Sequence, residues 1–345
     1  MQKQDNLNFA HIRRREMLPY ERSAGIRTTL PVSPDWNPHC FRPSSPIGLV
    51  SKAQGEAVKP ASFTYYRPNS AEEACSLLHE HGADARVLAG GQSLVPLMNM
   101  RILQPGVLID INRCRALSYV REENGVLACG ALTRQGEALD SATVAGCMPL
   151  LSAALSHVGV RASRNFGTVC GSLAHADPLA ELPCAAVALE ARFVIASARG
   201  TREVAASEFF VSALANCLEP DEMLVEVRFP VPPAGARTVF LEIANRAHGF
   251  AVAGLALCIE MDQAQRCARA RLAAIGAGDT AMRFETVEAL LEGQTLNDEI
   301  IDEAGAKSAA MAEPFDDVHA TAAYRRQVLG SLVKKALRRV LEQMD

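Results

Sequence analysis

The chain reads as an α+β protein: a larger domain in which helices and strands mix, then a smaller one in which strands precede helices. Three observations predict this. The composition, 49% hydrophobic, 21% charged and 5% aromatic over 345 residues, is that of a globular protein with room for two or three buried cores. From about residue 58, short apolar runs bounded by turn residues interchange with helix-patterned stretches as far as the prolines at 230–236. Beyond those prolines, three strand-like runs are followed only by helical pattern.

The elements follow in order. Residues 1–57 are rich in Pro and Ser without periodicity, and are expected to be a flexible extension. Ser70 caps a first helix, Glu72 and Glu73 favour its first turn, and Gly82 ends it. "ARVLAGG" reads as a buried strand, "LVPLMNMRI" as a short helix and "VLIDI" as a further strand. "SYVREENGVLACGA" is a hairpin turning at Asn124-Gly125. Helices from Thr133, around "LLSAALSHVG" and, as a long one, around "AELPCAAVALEA" come next. "RFVIASARGTREVAA" is a second hairpin, and "EMLVEVRFPVPP" a strand that closes the domain. The remainder holds strands in "TVFLEIAN", "FAVAGLALCIEM" and "ARARLAAIGAG", the last leading through "IGAGDTAMR" into a helix. A final helix over about 320–343 carries Val328, Leu332, Leu337, Val340 and Leu341 on one face.

Composition also excludes. A formal net charge of −4 with interspersed charges gives no electrostatic reason to expect nucleic acid. No apolar run reaches the roughly 18–20 residues a membrane span needs. The ten cysteines form no CxxC and mostly sit in apolar runs, which suits buried thiols in a reducing compartment and predicts a cytoplasmic protein with no metal on this chain.

The chemistry is carried by two glycine-bearing stretches. In "VLAGGQSLVPLMNMR" a strand ends in Gly90-Gly91-Gln92-Ser93 and runs into a helix. Such a turn presents bare backbone N–H groups to an anion, with the helix dipole adding favourable potential. It is neither a P-loop nor a GxGxxG dinucleotide turn. "RNFGTVCGSLAHADPLAELP" repeats the theme with Thr168 and Ser172, followed by His175, Asp177 and Glu181. Two such loops can hold the two phosphates of one dinucleotide. Arg161 and Arg164 are either phosphate contacts or solvated.

These stretches, with "FFVSALANCLEPDEMLVEVRFP" and the terminal "YRRQVLGSLVKKAL", closely resemble the medium, FAD-binding subunit of molybdenum hydroxylases, the family of carbon monoxide dehydrogenase and xanthine dehydrogenase. The resemblance covers about 58–345. Members of the family commonly start just before the pattern seen here as "KPASFTYYRP", and a valine codon can serve as a bacterial start, so the resemblance also implies that the chain begins at Val58 and that 1–57 are a mis-assigned start. It implies a two-lobed, PCMH-type FAD domain at 58–234, shared with vanillyl-alcohol oxidase and MurB, with lobes at about 58–112 and 113–234. A smaller C-terminal domain with a three-stranded sheet would occupy 235–345. By position, the FAD site would comprise Ala89, Gly90, Gly91, Gln92, Ser93 and Leu94, then Thr168, Val169, Cys170, Gly171 and Ser172. Asp177 and Glu181 fall where the family places acidic residues, Leu224 matches a leucine packed on the isoalloxazine, and Phe250 an aromatic near its other side.

The resemblance further implies an electron-transfer subunit without catalytic residues of its own. Electrons would come from a molybdenum cofactor on a large subunit, through two [2Fe–2S] clusters on a small subunit, to FAD and a terminal acceptor. The assembly would be a dimer of heterotrimers. The alternative is a free-standing flavin oxidase or dehydrogenase acting on a small organic substrate. Two departures stand out. Cys170 replaces a glycine of the usual T-[IV]-G-G, which would strain the turn if that position needs a positive φ. Gly249 stands where an aspartate is common.

Overall fold

The computed structural model describes residues 59–246 and 248–343. The expectations for 1–57, including a start at Val58, lie outside the described residues.

The first lobe is a parallel three-stranded sheet in the order β1-β3-β2. It is built from β1 (Thr64–Tyr66), α1 (Ala71–His81), β2 (Ala85–Leu88), α2 (Leu94–Asn99) and β3 (Val107–Asp110). Local chemistry sets α1 as expected: Ser70 accepts from the Glu73 N–H, and Gly82 takes φ 50° at the end. β3 is buried along its whole length because β1 and β2 flank it.

An antiparallel sheet in the order β4-β5-β10-β6-β7 follows. β4 (Val120–Glu123) and β5 (Val126–Gly130) form the first hairpin. Asn124 (φ 53°) and Gly125 (φ 74°) give it the doubly left-handed turn that matches strand twist. Six helices follow: α3 (Gln135–Asp140), α4 (Ala142–Cys147), α5 (Pro149–His157), α6 (Arg161–Phe166), α7 (Val169–His175) and α8 (Glu181–Ala188). α8 is eight residues, not the long helix expected. Every residue of α8 is buried, so no amphipathic stripe marks its end, and the chain turns at Glu190 with φ 53°. β6 (Arg192–Ser197) and β7 (Gly200–Ala205) make the second hairpin, then α9 (Ala206–Phe209), β8 (Phe210–Ser212), β9 (Ala215–Asn216) and β10 (Met223–Pro230) complete the lobe. β10 pairs with β5 only from Glu226 onward, and its register on β6 shifts between Leu224 and Glu226. β5 ends at Gly130, the partner of Glu226, so Met223 and Leu224 pair with β6 alone, and the bulge sits beside them.

The C-terminal region contains β11 (Arg237–Ala244), β12 (Ala251–Met261), β13 (Cys267–Ile275) and β14 (Met282–Arg283), then α10 (Glu285–Leu291), α11 (Asp298–Met311) and α12 (Ala322–Glu342). The sheet has four strands, β11-β12-β13-β14, rather than three. "IGAGDTAMR" leads into the two-residue β14, with Gly276 at φ 66°, and not directly into a helix. β12 reads as an uninterrupted apolar run because both its faces are covered. Ala256 and Cys258 pack into the core of the preceding lobes, while Leu255, Leu257 and Ile259 meet the core beneath α10–α12. Glu190 ties the sheets together, pairing with Arg269 at 2.6 Å, Arg283 at 3.0 Å and Arg271 at 3.3 Å. The described residues belong to one compact unit.

Candidate functional site

The glycine loops meet. A Cβ on Gly90 would clash with the Phe166 carbonyl oxygen and lie 2.8 Å from the Gly167 Cα, so only glycine lets loop 89–94 pack on the backbone of the second loop. Gly91 has φ 70°, a conformation L side chains rarely adopt. The N–H groups of Gly91, Gln92 and Ser93 have no protein acceptor among the described residues. α2 has six residues and α7 seven, too short for a large macrodipole, so the bare loop amides rather than the helix dipole are the anion donors.

The second loop is pinned from behind. Gln135 N–H donates to the Gly167 carbonyl (2.9 Å) and Val169 N–H to that of Thr133 (3.0 Å), a two-bond bridge between the start of α3 and the start of α7. Thr168 caps α7, its Oγ1 accepting from the Gly171 N–H at 3.0 Å. A Cβ on Gly171 would sit 2.6 Å from that same oxygen.

Both loops open on one cleft of about 1080 Å³. Ala89, Gly90, Gly91, Gln92, Ser93 and Leu94 line it, as do Thr168, Cys170, Gly171 and Ser172. Asp177, Glu181, Leu224 and Phe250 also face it. Val169 does not: its side chain is fully buried and its N–H is taken by Thr133. Leu224 is 6% exposed at the bulge of β10, whereas Phe250 is 68% exposed at the mouth. His175 lines the cleft as well. Neither arginine of α6 points to it. Arg161 pairs with Asp140 at 3.2 Å, and Arg164 donates to the carbonyls of Val158 and Gly159, each at 2.7 Å.

Cys170 lies within α7, where φ is helical, so its substitution for glycine brings no backbone strain. Its thiol is 2% exposed, with Sγ 3.6 Å from the Cys129 carbonyl oxygen, and burial pushes its pKa well up. It behaves as a small core residue.

The carboxylates differ. Asp177 is engaged locally, Oδ1 accepting from the Leu179 N–H at 2.8 Å. Glu181, at the first position of α8, is 9% exposed, and burial pushes it up to about 7; Asp177 adds to the rise and Arg164 opposes it. Behind it Glu242 of β11 is pushed up to about 8, by burial and then by Glu181, and its Oε2 has no hydrogen-bond partner among the described residues.

The far wall comes from the β11–β12 turn and the segment before α12. Asn245 Nδ2 donates to the His319 carbonyl (3.1 Å), and Arg246, His248 and His319 line the mouth. Gly249 leaves the space its side chain would occupy to the Arg246 stem, whose Cγ would lie 3.0 Å from an added Cβ. Sequence reasoning reached Phe250 and Gly249 of this wall but not Asn245, Arg246 and His319, which carry no local motif and meet only through the tertiary fold.

A cleft with unpartnered loop amides at one end, an aliphatic residue on a bulged strand in its wall and an aromatic at its mouth fits FAD. The amides suit a pyrophosphate and the apolar wall an isoalloxazine. Residues 61–232 match the family described as FAD binding domain in molybdopterin dehydrogenase, and 238–340 match CO dehydrogenase flavoprotein C-terminal domain. The chain is 38% identical over 286 residues to the 6-hydroxypseudooxynicotine dehydrogenase complex subunit alpha of Paenarthrobacter nicotinovorans, covering 83% of this chain and 97% of that one. It is 34% identical to the carbon monoxide dehydrogenase medium chain of Hydrogenophaga pseudoflava, covering 81% and 96%. The solved carbon monoxide dehydrogenase from the same organism superposes with a TM-score of 0.80 at 35% identity, covering 82% of this chain and 99% of that one. The chain belongs to the FAD-binding medium subunits of the molybdopterin dehydrogenases, and so is the flavoprotein subunit of a molybdenum-containing oxidoreductase complex.

Proposed function

We propose that this chain holds FAD in the cleft between loops 89–94 and 168–172 and relays electrons from the [2Fe–2S] clusters of a small partner subunit to a terminal acceptor. The convergence of Gly90 on Phe166 and Gly167 carries this reading, because it brings the bare amides of the first loop and the hydroxyl-bearing second loop to one cleft. Ala89 to Leu94, with Thr168, Gly171 and Ser172, hold the pyrophosphate. Asp177 and Glu181 accept from the cofactor's hydroxyls, Leu224 packs on the ring system, and Phe250 shields its exposed side. Bound FAD supplies a centre that takes electrons singly and releases them in pairs, which suits it to a position between iron–sulfur clusters and a two-electron acceptor. The chain's own residues bind, orient and keep water from that centre; the substrate C–H bond is hydroxylated on a large molybdenum subunit. Three kinds of subunit assemble as a dimer of heterotrimers.

The relatives' names point to substrates as unlike as carbon monoxide and 6-hydroxypseudooxynicotine, which fits a substrate choice made on another polypeptide. The test is native purification from the source organism, with flavin, molybdenum and iron quantified. Co-purification of one large and one small subunit with stoichiometric FAD is the expected result. A flavin-loaded chain that purifies alone and oxidises a small organic substrate directly would overturn the electron-relay reading.

A further inference from the structure

Behind the two loops, out of reach of the cleft, lies a polar chain that joins them. Asn112, just past the end of β3, donates from Nδ2 to the Ala89 carbonyl of the first loop (2.9 Å) and to Asp110 Oδ1 (2.5 Å). Its Oδ1 accepts from Arg134 Nη2 at 2.5 Å. Nη1 of the same guanidinium donates to the Phe166 carbonyl of the second loop, also at 2.5 Å. Asp110, 5% exposed, anchors the far end: it accepts from the Tyr65 hydroxyl and the Asn112 N–H (2.9 Å) and pairs with Arg67 (3.4 Å). Neither Asn112, Arg134 nor Phe166 lines the cleft.

We infer that Arg134 and Asn112 form a strap that sets the spacing of the two glycine loops, and are positioning residues for the dinucleotide although they do not touch it. The inference rests on the flavin reading above. Each half of the strap ends on a loop carbonyl: Ala89 immediately before the glycine pair, Phe166 immediately before Gly167. The Phe166 carbonyl that receives Arg134 is also the atom against which Gly90 packs. The contact leaves no room for a Cβ, so it holds the loops together by shape alone and supplies no directional bond. The guanidinium supplies it. Its planar fork reaches the Phe166 carbonyl and the Asn112 amide at once, a geometry a point charge cannot reproduce. The Asn112 amide spends both hydrogens and its oxygen within the strap, so its orientation is fixed from both sides.

The consequence is preorganisation. A cofactor that must bridge two loops binds more weakly when it has to order them itself, because the ordering entropy then falls on the binding step. Holding Ala89 and Phe166 in place shifts that cost to folding. The bridge from Thr133 and Gln135 to the second loop fixes the backbone next to Arg134, so the guanidinium reaches out from a fixed base.

The experiment measures FAD dissociation constants and off-rates on the full chain for wild type, Arg134→Ala, Arg134→Lys, Asn112→Ala and the Arg134→Ala/Asn112→Ala double variant. Amide hydrogen exchange of the FAD-free proteins is followed in parallel, and Arg161→Ala, which removes the same charge from α6 without touching the strap, is the control. Loss of either strap residue is expected to weaken FAD by about tenfold or more. Arg134→Lys should fall between wild type and Arg134→Ala. The double variant should bind no worse than the weaker single, since either break releases both loops. Exchange should rise together at 89–94 and 166–172 while β10 stays protected. An Arg134→Ala protein that binds FAD like wild type, or single effects that simply multiply in the double variant, would overturn the strap. If Arg134→Ala does not fold, Asn112→Ala and Arg134→Lys decide by the same affinity and exchange criteria. A wild-type chain with no affinity for FAD would overturn the flavin reading, and the strap with it.

Discussion

Gly90 and Gly167 face each other so closely that a single added Cβ on Gly90 would stand 2.8 Å from the Gly167 Cα, with the Phe166 carbonyl nearer still. The obstructing atoms are backbone, which cannot rotate aside. Gly90→Ala should therefore separate the loops, costing about 1–3 kcal/mol of stability by overpacking. It should also weaken FAD well beyond what Gly171→Ala does, where the Cβ meets only the Thr168 hydroxyl. Titration calorimetry with FAD, alongside denaturant unfolding of the apoprotein, checks both parts. Equal affinities for wild type and Gly90→Ala would refute the prediction.

Cys170 raises the opposite question, whether restoring the glycine common in related proteins improves the site. The thiol is buried in α7 and not at a left-handed position, so glycine would add backbone freedom and leave a void. Cys170→Gly should lose about 1–2 kcal/mol of stability and gain no FAD affinity. A stabilised variant, or one that binds FAD more tightly, would contradict the structure.

Glu181 and Glu242 make stability depend on pH. Both folded-state values, about 7 and about 8, lie above the ordinary glutamate value, so the folded protein binds these protons more tightly than the unfolded chain. Below the unfolded value both states are protonated and no penalty exists. As pH rises past it the unfolded chain ionises first, and stability falls until the folded groups have also lost their protons near pH 8. His157, 3.9 Å from Glu242, relieves little of this because burial pushes its own pKa down. Apoprotein unfolding free energy should thus decline from about pH 5 to pH 8. Glu242→Gln should flatten the decline, and the difference between the two proteins isolates Glu242 together with the groups coupled to it, Glu181 and His157. Parallel curves for wild type and Glu242→Gln would sink the assignment.

Arg325 of α12 is wholly buried, donating to the Val252 carbonyl and pairing with Asp317 at 2.6 Å. Removing the guanidinium leaves the Val252 carbonyl without that donor and takes the charge partner from the partly exposed Asp317. Arg325→Ala should cost about 1–3 kcal/mol in urea unfolding. Because Asp317 also accepts from the N–H groups of His319 and Ala320, the variant should loosen the cleft wall that His319 forms. Hydrogen exchange at 317–320 reads that second effect; unchanged protection there would separate Arg325 from the wall.

Legibility in the sequence followed the range of the interactions. The α1 cap at Ser70, the Asn124-Gly125 hairpin and the two glycine loops are local devices, each decided by a few neighbouring residues, and all could be named from the chain alone. α8 was overestimated because complete burial erases amphipathic period, and β14 was missed because two residues carry no period.

What the sequence determined by itself was the set of local conformations and, through four ordered motifs, the family. Glycines at 90 and 91 after a strand, and the second glycine stretch around 171, mark turns that either tighten the chain or bare its backbone N–H groups. Only the tertiary structure decided that Gly90 opposes Phe166, that Asn112 and Arg134 join the loops from behind, and that Arg246 and His319 complete the cleft from the turn after β11 and the segment before α12. Those residues are ordinary polar side chains separated by tens of positions. Their roles arise from contacts whose geometry exists only once the sheets have packed, and no local preference encodes it.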